Sequence, residues 1–402
     1  MASAEDRFQR FMLTGAGEPA GATSLMPRDL RIDVIRGLAL LIIFINHIPG
    51  HVLAGYTPHN FGFSDAADVF VLLAGVSATL AYGAVIERRG LGIGVLKIGA
   101  RLWTLYIAHL AVFILVCGVV ATAVTRTHNP LYIEAINIQP FFDETLGALV
   151  KALTLTFQPS YLDILPLYIV ILASFPLVYR VVCASPMLAL LASAAIWHVA
   201  GATGLNLPNG EAGSWFFNPF AWQLLFVLGV VMGRATQQRI VLPRSAVIDG
   251  LAVFVVLASL AVKLSTGNPF GLSVLNEWIE SLQLGTDKTN LAAIRVVHLL
   301  SLAWLVIRIV PADARCLQSG VAKRLATVGQ KSLEVFCLGT VLSIVAHIVL
   351  TETAFAMNIQ LLVAALGIGL LIGFATFLTW YETVSGSQAR ADNSAVGRVV
   401  AR

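Results

Sequence analysis

The chain has 402 residues, of which 57% are hydrophobic and 12% charged, with a formal net charge of +4 and a mean hydropathy of +0.82. A soluble globular chain carries about twice that share of charge, so a soluble enzyme, a disordered protein and a nucleic-acid binder are all excluded. The small positive excess does not call for an acidic partner, because a multi-pass membrane protein collects Lys and Arg in its cytoplasmic loops.

Residues 1–27 are polar and mixed in charge, with Glu5, Asp6, Arg7, Arg10, Pro19 and Pro27. They lack the short apolar core that follows a few basic residues in a secretory signal, and a mobile cytoplasmic tail is expected. A membrane helix needs about 20 mostly apolar residues. Ten such runs are predicted, at 33–54, 66–86, 97–124, 162–182, 187–203, 218–237, 246–264, 291–310, 332–351 and 359–380. They define an all-α polytopic membrane domain over 28–382, undivided by linker or repeat, with a cytoplasmic tail at 383–402. Cys117, Cys183, Cys316 and Cys337 have no metal-like spacing and read as reduced and structural.

With the N-terminus in the cytoplasm, 21 of the 26 Lys and Arg fall on that side. Five fall on the other: Arg126, Lys151, Lys263, Lys288 and Arg295. The positive-inside rule then places both termini in the cytoplasm. The long connections, 55–65, 125–161, 204–217 and 265–290, face outside. Long outward segments punctuated by Pro are where a polar extracytoplasmic substrate would be met.

Ionisable groups inside membrane helices are costly, so each is a functional candidate. In the first run Arg36 and His47 are eleven residues apart, about 20° around a helix and about 16 Å along it, so they share a face. Asp33 lies one turn from Arg36, at pairing distance. Asp65 and Asp68 open the second run three residues apart and point the same way. Ser64 or Asp65 would cap that helix, which leaves Asp68, deeper in the apolar run, without such an account. Asp163 sits at the outward mouth of the fourth run, where an N-terminal cap is the competing role. Trp222 and Gln223 lie near the outer end of the sixth. His109, Arg295 with His298, Lys331 with Glu334, and His347 are weaker signals, and a satisfied core or interfacial role is the better reading of each single His or Gln. There is no phosphate-cradling GxxxxGK[ST], no GxSxG elbow and no zinc-type spacing. What remains fits general-base chemistry, in which a neutral imidazole takes a proton from a hydroxyl as it attacks a thioester.

The segments Arg31-Ile32-Asp33-Val34-Ile35-Arg36-Gly37-Leu38, Asn46-His47-Ile48-Pro49 and Phe61-Gly62-Phe63-Ser64-Asp65-Ala66-Ala67-Asp68-Val69-Phe70 together resemble the OpgC family. Leu162-Asp163-Ile164-Leu165-Pro166-Leu167-Tyr168 and Asn218-Pro219-Phe220-Ala221-Trp222-Gln223-Leu224 are similar to it as well. The likeness spans roughly 28–380, and its Arg-Gly plus His part is shared with wider transmembrane acyltransferases, including acyltransferase family 3. It implies an inner-membrane enzyme that succinylates osmoregulated periplasmic glucans from cytoplasmic succinyl-CoA, with no permanently bound cofactor and no metal. It also implies His47 as the base and Arg36 as a donor residue, and places Asp65 and Asp68 in the family's acidic motif. Some membrane acetyltransferases instead place the active His in the first outer loop, where this chain has His51 and His59.

On this reading succinyl-CoA docks from the cytoplasm beside Arg31, Arg36 and Asp33, since guanidinium forks suit phosphate. The glucan approaches from the periplasm near Asp163, Trp222, Gln223 and residues 125–161. Asn46 or a backbone N–H holds the oxyanion, and an acyl-His route is the mechanistic runner-up. The bilayer is the other partner, and a homo-oligomer is compatible with this architecture. Two other readings stay open: an O-acetyltransferase using acetyl-CoA, and a glycan transporter or flippase. A transporter would favour broken helices at matching positions in two halves, and no such symmetry is present.

Overall fold

The computed structural model describes residues 29–210, 213–241, 243–266 and 287–400; the expected tail at 1–27 lies outside them. Among the described residues the fold is all-α, with one isolated bridge between Pro208 and Ser214. The helices are α1 Leu30–Asn46, α2 Ala66–Arg89, α3 Leu91–Thr127, α4 Ile164–Ala184, α5 Pro186–Thr203 and α6 Pro219–Gln237. They continue with α7 Ala246–Thr266, α8 Ala293–Ile309, α9 Gly320–Gln330, α10 Ser332–Glu352 and α11 Met357–Val400. Eight of them are long and apolar enough to cross a membrane. The other two predicted runs are α1 and α8, of 17 residues each and about 25 Å long.

Several boundaries differ from expectation. The first run was expected to continue to 54, but α1 stops at Asn46 and His47 is its C-cap, with φ −86° and ψ 0°. Pro49 cannot extend the helix, and Gly50 turns the chain with φ +75°. A π-turn over Thr79–Gly83 interrupts the second run. The third run is the 37-residue α3, about 55 Å long, so it projects beyond a hydrocarbon core of about 30 Å. The C-terminal tail expected from 383 is a continuation of α11 to Val400. α9 was not predicted at all, because eleven residues with Lys323 and Arg324 do not read as a span.

The main core gathers α1, α2, α4, α6 and α10 around Leu40, Phe44, Leu72, Phe175 and Phe226. A smaller core packs Phe113 and Val116 of α3 against Tyr132, Ile136, Ile138 and Phe157. It explains how the long 125–161 connection keeps a defined shape: short helices at Leu131–Glu134, Gln139–Asp143 and Thr145–Leu153 are anchored on α3.

Two backbone crossings set the bundle. A Cβ added at Gly37 would overlap the Leu325 carbonyl, and one at Gly329 would overlap the Asp33 carbonyl, so α9 lies directly on α1. Gly75 and Gly229 bring α2 and α6 together in the same way, against the Phe226 and Leu72 carbonyls. Small residues at crossings are the usual device for close helix approach in membranes. Gly37→Ala should therefore cost about 1–3 kcal/mol, as overpacking does. Gly118→Ala on α3, where an added Cβ meets nothing within 4 Å, should leave the unfolding midpoint in detergent unchanged. Equal midpoints for the two variants would show that the α1–α9 contact is not tight.

Candidate active site

A cavity of about 1150 Å³ opens where the long connections meet the bundle. Its wall is built by the end of α1, the start of α2, the short helices before α4 and the segment before α6, with residues 288–289 before α8. It reaches inward to Phe336, in the second turn of α10. Trp215, Phe216, Phe217, Phe157 and Tyr161 give it aromatic surface, and Asn60, Asn137, Gln139, Gln158 and Asn209 give it amides. The Gln158 N–H donates to Asn209 Oδ1 at 2.8 Å and Asn209 Nδ2 donates back to the Gln158 carbonyl at 3.3 Å. This clasp joins two connections, before α4 and before α6, that are distant in sequence.

His47 lines the cavity. Its ring packs against Tyr161 at 4.8 Å between centroids and edge-on to Phe336 at 6.3 Å. Tyr161 has φ +71°, a left-handed backbone that a bulky residue rarely adopts. Strain of this kind persists only where surrounding structure enforces it. His47 Nδ1 is buried without a hydrogen-bond partner among the described residues, so packing, not a carboxylate, sets the ring's orientation. Asn46 also lines the cavity. Its Oδ1 accepts from the Thr57 hydroxyl at 2.9 Å, which leaves Nδ2 as the end available to a ligand.

The two carboxylates of α2 are organised by one another first. Asp65 caps the helix by accepting from the Ala67 N–H at 2.8 Å, and Asp68 accepts from the Asp65 N–H at 2.8 Å, a reciprocal capping box. Arg295 of α8 then binds both. Its Nη2 is 2.5 Å from Asp68 Oδ2 and 3.3 Å from Asp65 Oδ2, and its Nε is 3.3 Å from Asp68 Oδ1. Lys288 Nζ lies 2.7 Å from Asp65 Oδ2. Burial alone would raise the Asp65 pKa, but Lys288 and Arg295 more than offset it and hold the carboxyl below its ordinary range. One turn along α8, His298 Nδ1 accepts from the Ser64 N–H at 3.2 Å and lies 2.7 Å from the Ser64 hydroxyl. Asp65 lines the cavity; Asp68, fully buried, does not. Asp68 therefore has its charge partner in Arg295.

The loop histidines separate cleanly. His51 is buried, with Nδ1 accepting from the Leu53 N–H at 3.0 Å and Nε2 3.0 Å from the Gln360 carbonyl. Both ring nitrogens are occupied by backbone. His59 lines the cavity, with Nδ1 3.9 Å from Asp65 Oδ2. Partial burial holds its pKa below the usual imidazole value.

The remaining candidates lie elsewhere. Asp163 stands at the N-cap of α4 and lines the cavity. Trp222 and Gln223 do not line it. Trp222 is buried and its Nε1 donates to the Lys288 carbonyl at 2.9 Å and to the Thr289 carbonyl at 3.2 Å. Gln223 ties α6 to α5 by accepting from the Ser193 hydroxyl at 2.7 Å. At the opposite end of α1, Arg31 pairs with Asp29 at 2.6 Å and donates to the Val310 carbonyl. Arg36 donates to the Leu73 carbonyl at 3.3 Å and to the Ser77 hydroxyl of α2. Asp33 accepts from Gln330 of α9 at 3.2 Å. These three are not in the cavity wall.

Sequence reasoning missed Lys288 as a site residue, and missed that Arg295 meets both aspartates. A signal was there: only five cations fall on the side opposite the expected cytoplasmic one, and two of them meet Asp65.

A sequence profile described as OpgC protein matches residues 28–383. The chain belongs to the OpgC family. The match covers every element that lines the cavity, together with the Arg36 end of α1. Membership in the OpgC family implies a membrane acyltransferase with a role in periplasmic glucan succinylation. No curated protein and no solved structure matches the chain.

Removing one partner of a buried ion pair costs about 3–5 kcal/mol, because it strands the other charge. Arg295 is 3% exposed, and the Lys288 side chain 28%. Arg295→Met should therefore lower the unfolding midpoint of this OpgC-family protein far more than Lys288→Met. The reverse order in a thermal melt would mean that Lys288 carries the charge balance of the cluster.

Proposed function

We propose that the protein transfers a succinyl group from succinyl-CoA, docked on the cytoplasmic side, to hydroxyls of a periplasmic glucan across the bacterial inner membrane. The observation that carries this reading is the placement of α1. His47, at one end, lines a large polar and aromatic cavity, while Arg36, about 16 Å back along the same helix, sits at the other end against α2. Both termini lie in the cytoplasm on this reading, supported by the 21-to-5 division of Lys and Arg under the positive-inside rule. The cavity then faces the periplasm.

CoA is too bulky and anionic to cross hydrocarbon, so its phosphates stay near Arg36 and Arg31 while the pantetheine arm carries the thioester inward. The aromatic faces and amides of the cavity suit a sugar, because each amide both donates and accepts and an apolar wall with a few placed polar groups is how ligands are oriented. His47 removes the proton from a glucan hydroxyl as that oxygen attacks the thioester carbonyl carbon. Asn46 Nδ2 donates to the oxyanion that forms. Collapse breaks the C–S bond, and the CoA sulfur leaves with the proton that the imidazolium returns. Asp65 and Asp68 act here as positioning residues, through Lys288 and Arg295. Asp163 and Glu134, which also line the cavity, are the carboxylates left to meet the acceptor.

Mass spectrometry of glucan from cells with and without the protein tests the whole reading: an added succinyl mass per step is expected, and an acetyl mass would replace the donor. Removing a general base costs about 10²–10⁴-fold in rate, so His47→Ala should lose nearly all transfer while keeping CoA binding. His59→Ala should keep most of it, and wild-type rate should rise with pH as an imidazole becomes neutral. An active His47→Ala beside a dead His59→Ala would move the base to the loop.

Arg36→Ala should weaken CoA binding by roughly 10- to 150-fold, the loss of one charge-assisted hydrogen bond. Arg36→Lys should recover only part, lacking the planar fork. Unchanged CoA affinity would leave Arg36 a structural tie between α1 and α2.

A further inference from the structure

Lys288 is the one Lys or Arg among the described residues that line the cavity. Its backbone is pinned from three sides. Trp222 Nε1 holds the Lys288 carbonyl at 2.9 Å. The Asn218 N–H donates to the Thr289 carbonyl at 3.2 Å. Trp197 Nε1 donates to the Leu291 carbonyl at 2.9 Å. The side chain is fixed as well. Its ammonium is 2.7 Å from Asp65 Oδ2 and lies over Phe216 and Phe217, at 5.8 and 5.4 Å from the ring centroids.

An ammonium has three N–H donors, and Asp65 takes one. Asp65 and Asp68 have a second cation in Arg295, which is buried outside the cavity wall. Lys288 is therefore a cation held in place with donor capacity left, in the cavity that His47 also lines. A carboxylate takes up such spare N–H donors in a charge-assisted hydrogen bond, roughly twice as strong as a neutral one. A neutral sugar and an acetyl group carry no carboxylate; a dicarboxylic acyl group does.

We propose that Lys288 is a specificity-determining residue for the acyl group, its ammonium receiving the distal carboxylate of the succinyl chain while the thioester is presented to His47. The assignment rests on the acyltransferase reading above. Lys288 makes and breaks no covalent bond; it selects a four-carbon acyl chain ending in a carboxylate over uncharged acyl groups by a charge-assisted hydrogen bond.

The test uses full-length protein in detergent, with purified glucan as acceptor and succinyl-CoA, acetyl-CoA and butyryl-CoA as donors. Butyryl matches succinyl in length but lacks the carboxylate. Wild type should prefer succinyl over butyryl at least about tenfold in kcat/KM, the scale of one such bond. Lys288→Met should remove most of that preference, chiefly through a higher KM for succinyl-CoA, and Lys288→Arg should retain it. Equal use of succinyl and butyryl by wild type overturns the assignment without needing any variant. So does a Lys288→Met enzyme that slows with all three donors by the same factor, which would make Lys288 a structural partner of Asp65. Wild type that transfers no acyl group at all removes the acyltransferase reading itself, and the assignment with it.

Discussion

A guanidinium buried between two carboxylates is the interaction on which the rest depends. Arg295 reaches from α8 to Asp65 and Asp68 at the start of α2, two elements separated by more than 200 residues. In a chain with so few charges, this pairing has few competitors. Coulomb attraction is strong where water is scarce, and the cost of desolvation is recovered only if geometry and hydrogen bonding are good. The capping box supplies that geometry, since each carboxylate is already fixed by an amide. Once α2 is joined to α8, residues 288–291 run beside Asp65, and one wall of the cavity is defined.

The other constraint is steric. Gly37 with Gly329, and Gly75 with Gly229, let backbones touch, so α1 is clamped to α9 and α2 to α6. Helix α1 thereby becomes a rigid spacer. Arg36 and His47 are held at a separation that neither can adjust alone, which is what the proposed transfer between compartments would need. The helix ends where it does because Pro49 and Gly50 follow, and this puts His47 at the rim, with its backbone half in and half out of the helix.

Much of this was legible in the sequence. Apolar runs of about 20 residues located the helices because backbone groups in hydrocarbon must be satisfied within the segment. The Arg36–His47 spacing and the Asp65–Asp68 spacing are periodicities, and those are local. Boundaries set by turn chemistry were less visible: Pro49 was in plain view, yet the apolar residues around it extended the run. Partners across the fold were invisible. Nothing in the neighbourhood of Trp222 or Gln223 indicates that the indole holds residue 288 or that the amide joins α5, because those contacts exist only after α5, α6 and α8 have packed. α9 was missed for the same reason, its one apolar face having meaning only against α1.

The Gln158–Asn209 clasp has a consequence for how such proteins diverge. The region around Arg36 and the cavity are made of different material: the first is helix packed on helix through glycines, and the second is walled largely by loops and short helices. Loops tolerate change that glycine crossings do not. Yet the clasp sets the Asn209 side chain against the main chain of residue 158, so a replacement before α6 that lacks Asn209 strands the N–H and carbonyl of the segment before α4. The pair is thus a single heritable cassette. On the proposed function, a chimera that exchanges both segments together would carry a new acceptor preference onto an unchanged membrane scaffold, and one that exchanges either alone would lose the wall they share.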